Sequence, residues 1–374
     1  MLSFIHTADV HLDAPLVSMA SLYEIRQHDF RETMQRIRDL VRDKQVDFWL
    51  IAGDLMEYHG GTRSTALFLI ELFASVSPTP VFIAPGNHDP WMEDSYYQTI
   101  EWPTNVYFFT PEWGAYEFPE KQCVVYGWGF GQAHVTESPL ASFPGKLTGF
   151  QHHIMVIHGT VLTQEEWGHQ PYAPIALQEL QNLSMDYVAL GHIHKAHQFI
   201  HSERKTPFAA YPGSPEGLTS KESGMRHVLL GSIQPDGEVR LETIPVCSRQ
   251  IEKVSIEVNG ASTTDALLQR IASVLHSKNK RNILEVTLEG QRMSHLAIPL
   301  ELLREQYREF FSVSFRDCTY PDIDVEQLIQ ENQLLGRWLR TLQSAIAQSP
   351  AEMDKEIAEI ALQEAVRRIG GTIR

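Results

Sequence analysis

Val81-Phe82-Ile83-Ala84-Pro85-Gly86-Asn87-His88-Asp89 decides the reading of this chain. Val81 to Ala84 is a short apolar run of strand formers, and Pro85 closes it. A strand that stops in Gly-Asn-His-Asp delivers an amide, an imidazole and a carboxylate to the C-terminal edge of a sheet. That edge is where α/β folds place their ligands. Alone the tetrapeptide is a modest signal, because strand-to-turn junctions often carry Gly and Asn. Four other stretches of the same kind accompany it.

Upstream, Leu2 to Ala8 reads as a strand running into Asp9-Val10-His11-Leu12-Asp13. Residues two apart on an extended chain point the same way, so Asp9 and His11 can hold one ion together. Asp13 reads as a loop or capping residue. Tyr23 to Lys44 places Ile25, Phe30, Met34, Ile37, Leu40 and Val41 at helical spacing. Val46 to Ala52 is a second buried strand, ending in Gly53-Asp54-Leu55-Met56-Glu57. The two oxygens of Asp54 can bridge two ions, whereas Glu57 stands near the site but off the ions. Thr62 to Val76 is a second helix.

Downstream, Tyr107 to Phe130 is extended and aromatic, with Val124 to Trp128 as a strand of antiparallel type. Ile154 to Ile157 is apolar and ends in His158-Gly159. His152 and His153 precede it, at the wrong end for the site, and read as surface residues. Met185 to Leu190 is a further strand, ending in Gly191-His192-Ile193-His194. His197 and His201 read as solvated or core histidines. Tyr211-Pro212-Gly213-Ser214-Pro215 is either a tight turn or a backbone approach to phosphate. Beyond Pro245 a β-α-β pattern (Gln250 to Val258, Thr264 to Leu275, Asn282 to Leu288) suggests a small separate domain. Lys278, Lys280 and Arg281 form its compact basic cluster, more in keeping with a solvated loop than a nucleic acid contact. From Val325 onward the pattern is helical, with Leu328, Leu334, Leu335, Trp338, Leu339 and Leu342 as one apolar set.

Taken singly, each strand end reads as well as a polar turn or a structural histidine. Together they give Asp-x-His, Gly-Asp, Gly-Asn-His-Asp, His-Gly and Gly-His-x-His in order, rich in Asp, Asn and His and free of Cys. Such donors suit a pair of divalent ions, manganese first, with iron or zinc as alternatives. Two ions ~3.5–4 Å apart meet the needs of phosphodiester hydrolysis, neutralising phosphoryl charge and activating water.

A formal charge of -16 over 374 residues argues against a protein that coats phosphate backbones, which is usually basic. A nuclease that holds DNA locally over ions needs no such surplus, and acidic bulk suits work beside a more basic partner. Cys123, Cys247 and Cys318 have no metal-knuckle or disulfide spacing. The start of the chain does not read as a signal peptide, and no apolar run approaches the ~20 residues of a membrane span. The expected compartment is the cytoplasm, with no membrane partner.

The motif set resembles the calcineurin-like metallophosphoesterase superfamily. Ala8 to Asp13, Gly191 to His194 and Tyr211 to Pro215 look most like its SbcD-type DNA repair exonucleases, in the YhaO-like branch. The resemblance implies an α/β fold, a four-layer α/β/β/α sandwich over residues 1–247. A small α+β capping domain would follow over 248–322, and a helical C-terminal segment over 323–374. It implies that Asp9, His11, Asp54 and His194 hold one ion, and that Asp54, Asn87, His158 and His192 hold the other. His88 would face the scissile phosphate as proton donor or stabiliser, and Asp89 would orient it. Glu57 departs from the pattern, standing where some members carry a second active-site histidine. The implied activity is DNA phosphodiester hydrolysis in repair, the implied partner an SbcC-type SMC-like ATPase docked on the C-terminal helices, and a homodimer is expected. A phosphodiesterase or phosphatase on a small molecule or phosphoprotein is the alternative, and a non-catalytic metal-binding regulatory subunit is the second.

Overall fold

The central strands are buried on both faces, which is why they read as unbroken apolar runs rather than as alternating ones. The computed structural model describes residues 1–163, 171–322 and 334–348, with Ile357, Ile360 and Ala361. It divides into two units, Met1–Gln250 and Ile251–Arg374. The first opens with β1 (Leu2–Thr7), α1 (Tyr23–Lys44), β2 (Phe48–Ile51), α2 (Arg63–Ala74), β3 (Val81–Ile83), the single turn α3 (Tyr96–Thr99) and β4 (Val106–Phe108). It continues through β5 (Gly114–Phe118), β6 (Cys123–Trp128), β7 (His152–His158), the short pair β8 (Val161–Leu162) and β9 (Ile175–Ala176), and α4 (Leu177–Asn182). Then come β10 (Tyr187–Gly191), β11 (His197–Ile200), β12 (Pro207–Tyr211), β13 (His227–Ile233) and β14 (Val239–Pro245).

These strands form two six-stranded sheets, ordered β14-β13-β1-β2-β3-β4 and β11-β12-β10-β7-β6-β5. Strands β1 to β4 run parallel, as do β6, β7, β10 and β12. Alternate side chains then decide the layers. Phe4, Phe48 and Phe82 of the first sheet pack between the sheets with Val125, Ile154, Val156 and Tyr187 of the second. Their neighbours Ile5, Trp49 and Ile83 face outward, onto Phe30, Met34 and Ile37 of α1 and Leu69 and Phe73 of α2. Met155, Ile157, Val188 and Leu190 face outward on the second sheet, where Leu180 of α4 joins them. The result is the α/β/β/α sandwich.

Helix α1 stops at Gln45, a left-handed residue (φ 47°) whose N–H returns to Val41 and Arg42. Helix α2 starts at Thr62, whose hydroxyl accepts the Thr65 N–H at 3.2 Å. Asp13, read as a capping residue, accepts from Thr62 N and Thr65 Oγ1 at that helix start. One expectation fails. His152 and His153 are the first two residues of β7, both buried, because β7 lies between β6 and β10 and is covered on both faces. The His153 N–H donates to Asp186 Oδ2 at 2.7 Å.

The second unit holds β15 (Ile251–Glu257), α5 (Thr264–Leu275), β16 (Ile283–Met293), α6 (Leu300–Gln306) and β17 (Ser312–Asp322). The three strands form a parallel sheet in chain order. Leu267, Ile271 and Leu275 of α5 pack on Val254, Ile256, Val286 and Leu288. The basic cluster is largely neutralised: Lys278 pairs with Glu252 at 2.9 Å and Lys280 with Glu309 at 2.7 Å. Of the C-terminal segment, α7 (Leu334–Gln348) is described, with Leu339 buried and Trp338 half-exposed. Leu328 and most residues beyond 348 lie outside the described residues. Among the described residues no helix is long and apolar enough to cross a membrane.

Candidate metal centre

Five parallel strands end at one edge of the sandwich and each carries donors there. Asp9 and His11 follow β1, Asp54 follows β2, and Asn87 and His88 follow β3. His158 is the last residue of β7, and His192 and His194 follow β10. The loops after β1 and β2 stay zipped together, since Asp9 N donates to Gly53 O at 3.1 Å and His11 N to Asp54 O at 2.9 Å. The backbone bends sharply to aim the side chains: Asp9 (φ 53°), His11 (φ 52°), Asp54 (φ 53°) and His192 (φ 105°) all lie at positive φ. The two sheets approach so closely that a Cβ on Gly191 would stand 1.7 Å from the Ala52 carbonyl oxygen. A Cβ on Gly86 would stand 2.3 Å from Asp54 Oδ1, so glycine is required there for the carboxylate to hold its place.

All seven expected donors come together. Asp9, His11 and His194 each offer one ligand atom within 4.8 Å of the others, and so do Asp54, His158 and His192. Asp54 Oδ2 joins the two groups, 3.5 Å from His11 Nε2 and 3.4 Å from His158 Nε2. Asn87 Oδ1 lies 3.0 Å from His158 Nε2 and 3.1 Å from His192 Nδ1.

The far ring nitrogens test whether these residues fit a cation. His11 Nδ1 is 2.9 Å from Glu57 Oε1, His158 Nδ1 is 2.9 Å from the Ala52 carbonyl, and His194 Nδ1 is 3.3 Å from Glu222 Oε1. Each partner is a pure acceptor, which assigns the proton to Nδ1 and leaves an Nε2 lone pair pointing inward. His11 Nε2 and His194 Nε2 then face each other at 3.2 Å, an arrangement of two acceptors that a cation satisfies. Buried Asp9 Oδ2 has no hydrogen-bond partner in the protein. The residues fit a divalent pair.

The titration shifts express the same crowding. Burial works against charging His158, but Asp54 outweighs it and lifts the imidazole to about 9. Burial also pushes the Asp9 carboxyl up, while the histidines around Asp54, His158 foremost, overcome burial and hold that carboxyl well below its usual range. Without ions the carboxylates draw protons onto His158 and His194, and metal binding would release them.

Asp89 does not do what the resemblance implies. It is buried, and its oxygens accept from Asp54 N at 3.0 Å, Leu55 N at 2.7 Å, Gly86 N at 2.6 Å and the Tyr97 hydroxyl at 2.5 Å. With that many donors on its two oxygens it braces the loops that carry Asp54 and Asn87, rather than orienting His88. The carboxylate on His88 is Glu57, whose Oε2 lies 3.0 Å from Nδ1 while its Oε1 holds His11. Burial would raise the Glu57 carboxyl, yet the bonds from His11 and His88 bring it down to about 2. In return the bond to Glu57 leads the shift of His88 up to about 9.

Glu57→Gln keeps the shape but loses the second acceptor oxygen and the charge. A ~10–100-fold loss of metal affinity or turnover is expected, the usual effect of removing such a partner. Calorimetric manganese titration beside steady-state rates checks this, and unchanged values in both would remove Glu57 from the site.

Sequence reasoning also missed the support of His194. Glu222, which holds its Nδ1, accepts from Ser214 Oγ at 2.7 Å, and Arg226 donates to the His194 carbonyl and to Ser214 O at 3.0 Å. Beside the donors opens a cleft of about 730 Å³, lined by Asp54, Asn87, His88, Lys195, Lys221 and Arg226 among others.

Residues 2–196 match the model of the calcineurin-like phosphoesterase family. The chain is 32% identical over 304 residues to the uncharacterized metallophosphoesterase YhaO of Bacillus subtilis, covering 77% of this chain and 72% of that protein. It is 27% identical over 298 residues to the DNA double-strand break repair protein Mre11 of Methanopyrus kandleri, covering 71% of this chain and 61% of that one. With the Mre11 of Methanosarcina acetivorans it shares 25% over 271 residues, 68% of this chain and 40% of the other. The strand-end donors, the two-sheet sandwich and these matches agree, and the chain belongs to the calcineurin-like metallophosphoesterases, a family of metal-dependent hydrolases.

Proposed function

We propose that the chain is a two-metal DNA nuclease of the SbcD type. The observation that carries this over a small-ester phosphatase is the cleft beside the donors. Its volume of about 730 Å³ exceeds that of a phosphate group, and Lys195 and Lys221 line it together with His88, while Arg226 there is paired with Glu222 at 3.8 Å. Its local positive charge suits a phosphate backbone that the acidic bulk of the chain does not. The two relatives named as DNA double-strand break repair proteins support the same reading.

When bound, two divalent ions would neutralise phosphoryl charge and supply a deprotonated water. Manganese is the ion we propose, from the Asp, Asn and His donors. The chain's own residues position and charge the reaction. Asp9, Asp54, Asn87 and the four histidines fix the donor geometry. His88 is exposed to the cleft, and its bond at Nδ1 to Glu57 pushes the imidazole up to about 9, toward the charged form. It steadies the phosphoryl oxygens and hands a proton to the leaving oxygen. In this reading the helix Leu334–Gln348, with its half-exposed Trp338, docks an SMC-like ATPase, and the enzyme works in the cytoplasm as a homodimer.

The test is cleavage of end-labelled single- and double-stranded DNA with manganese, beside an aryl phosphodiester. We expect DNA to be degraded, and His88→Ala to lose ~10²–10⁴-fold, the scale of general acid catalysis, while keeping its metals. Hydrolysis of the aryl ester alone would favour the small-molecule phosphodiesterase instead.

A further inference from the structure

A second hollow, of about 280 Å³, opens beside Glu57 and is lined by Tyr58, His59, Asp94, Ser95 and Tyr96 among others. Glu57 forms part of its wall, and the same carboxylate holds His11 and His88. Tyr58 N donates to the His88 carbonyl at 2.7 Å, so the hollow adjoins the segment that carries the metal donors.

Its chemistry is the opposite of the cleft with the two lysines. The charged groups are carboxylates, Glu57, Asp89 and Asp94, which repel phosphate. The walls are rings: Tyr58 and His59 meet edge-on with centroids 4.8 Å apart, and Tyr96 and Tyr97 complete the lining. Asp94 Oδ1 accepts from the Tyr58 hydroxyl at 2.5 Å, which fixes that ring in place. Ser95 is 6% exposed, and its hydroxyl has no partner in the protein. That oxygen lies beneath the surface of the hollow, so what the hollow itself presents is the tyrosine and histidine rings and the Asp94 carboxylate.

We infer that this hollow takes the base of a nucleotide flanking the scissile phosphate, turned out of its stack. Aromatic side chains stack on any base, and Asp94, with Oδ1 taken by Tyr58, has its second oxygen to accept from an amino group on a base edge. The phosphates on either side go to the cleft where Lys195 and Lys221 stand. A base still paired within a duplex cannot enter, so the preferred substrate is a single strand or a frayed end. This rests on the DNA reading above and adds to it the state of the strand that is cut.

The experiment compares an intact oligonucleotide with copies carrying one abasic residue on either side of the cut, using the full chain with manganese. Wild type is expected to cut the intact strand about tenfold or more faster than one of the abasic strands, the scale of one lost stacking contact. In Tyr58→Ala and in Tyr96→Ala that preference is expected to collapse to unity. A ratio taken within one preparation does not depend on how much of it is folded. Cleavage of DNA by wild type with no abasic penalty at either position overturns the base pocket and leaves the nuclease reading standing. A penalty that survives in both variants also overturns it, because the base is then read elsewhere. No DNA cleavage beside active hydrolysis of an aryl ester overturns the nuclease reading and the pocket with it.

Discussion

Asp54→Asn is expected to lower phosphodiester hydrolysis by roughly a thousandfold or more, because metal-supplied charge stabilisation is worth several kcal/mol and each ~1.4 kcal/mol is tenfold. Asp54 stands between the two donor groups, with Oδ2 3.5 Å from His11 Nε2 and 3.4 Å from His158 Nε2. Its other oxygen accepts the His88 N–H at 2.8 Å. Asparagine retains one acceptor for His88 but turns an amide toward the histidine lone pairs and removes the negative charge. Metal analysis should show both ions depleted. Circular dichroism of the metal-free protein separates this from unfolding; a lower melt is expected as well, since the histidines hold the Asp54 carboxyl well below its usual range and the variant gives up that pairing. Retention of both ions with activity within a few fold would exclude Asp54 as the bridge.

Arg26→Met is expected to cost the protein about 3–5 kcal/mol of stability, the range for removing one partner of a buried ion pair. Arg26 is fully buried on α1, with Nη1 2.9 Å from both Asp29 Oδ2 and Glu216 Oε1, and Nη2 donating to the Gly217 carbonyl at 2.7 Å. Its guanidinium stands 5.3 Å from the Phe30 ring centroid. Asp29 retains Arg249 at 2.8 Å, but Glu216 is left with the Thr33 hydroxyl and Ser248 N–H, both at 2.7 Å, and no cation. Urea unfolding reads the loss. Arg26→Met combined with Glu216→Gln should recover part of it, because the second change removes the stranded charge. A single variant within ~1 kcal/mol of wild type, the scale of an exposed pair, would show that water reaches the cluster.

The donors are legible in the sequence because each follows an apolar run, and a run buried on both faces has to end at a sheet edge. The roles of the two carboxylates are not. Nothing in Gly86-Asn87-His88-Asp89 tells a carboxylate turned outward to its neighbour from one turned inward to amides. The donors that claim Asp89 come from three segments, at Asp54 and Leu55, at Gly86 and at Tyr97. Glu57 is visible as an acid three residues after Asp54, but its pairing with His11 and His88 depends on how two loops meet. Glu222 and Arg226 lie in a polar loop with no periodicity. They acquire meaning only where Ser214 and the His194 carbonyl reach them. Strand β17, with its mixed polar face and Pro321, lacks the apolar run that marks the central strands.

Asp9, His11, Asp54 and His192 hold a backbone shape that side chains with a Cβ adopt at some expense, of order 1–3 kcal/mol each where the strain is greatest. Asp and His bear it better than most residues, and glycine bears it freely. Under selection for thermostability alone, such positions would drift toward glycine, relaxing the turns and dispersing the buried charge. At these four positions the chain carries a donor side chain where a glycine would sit without strain, so the loops hold chemistry at the expense of robustness.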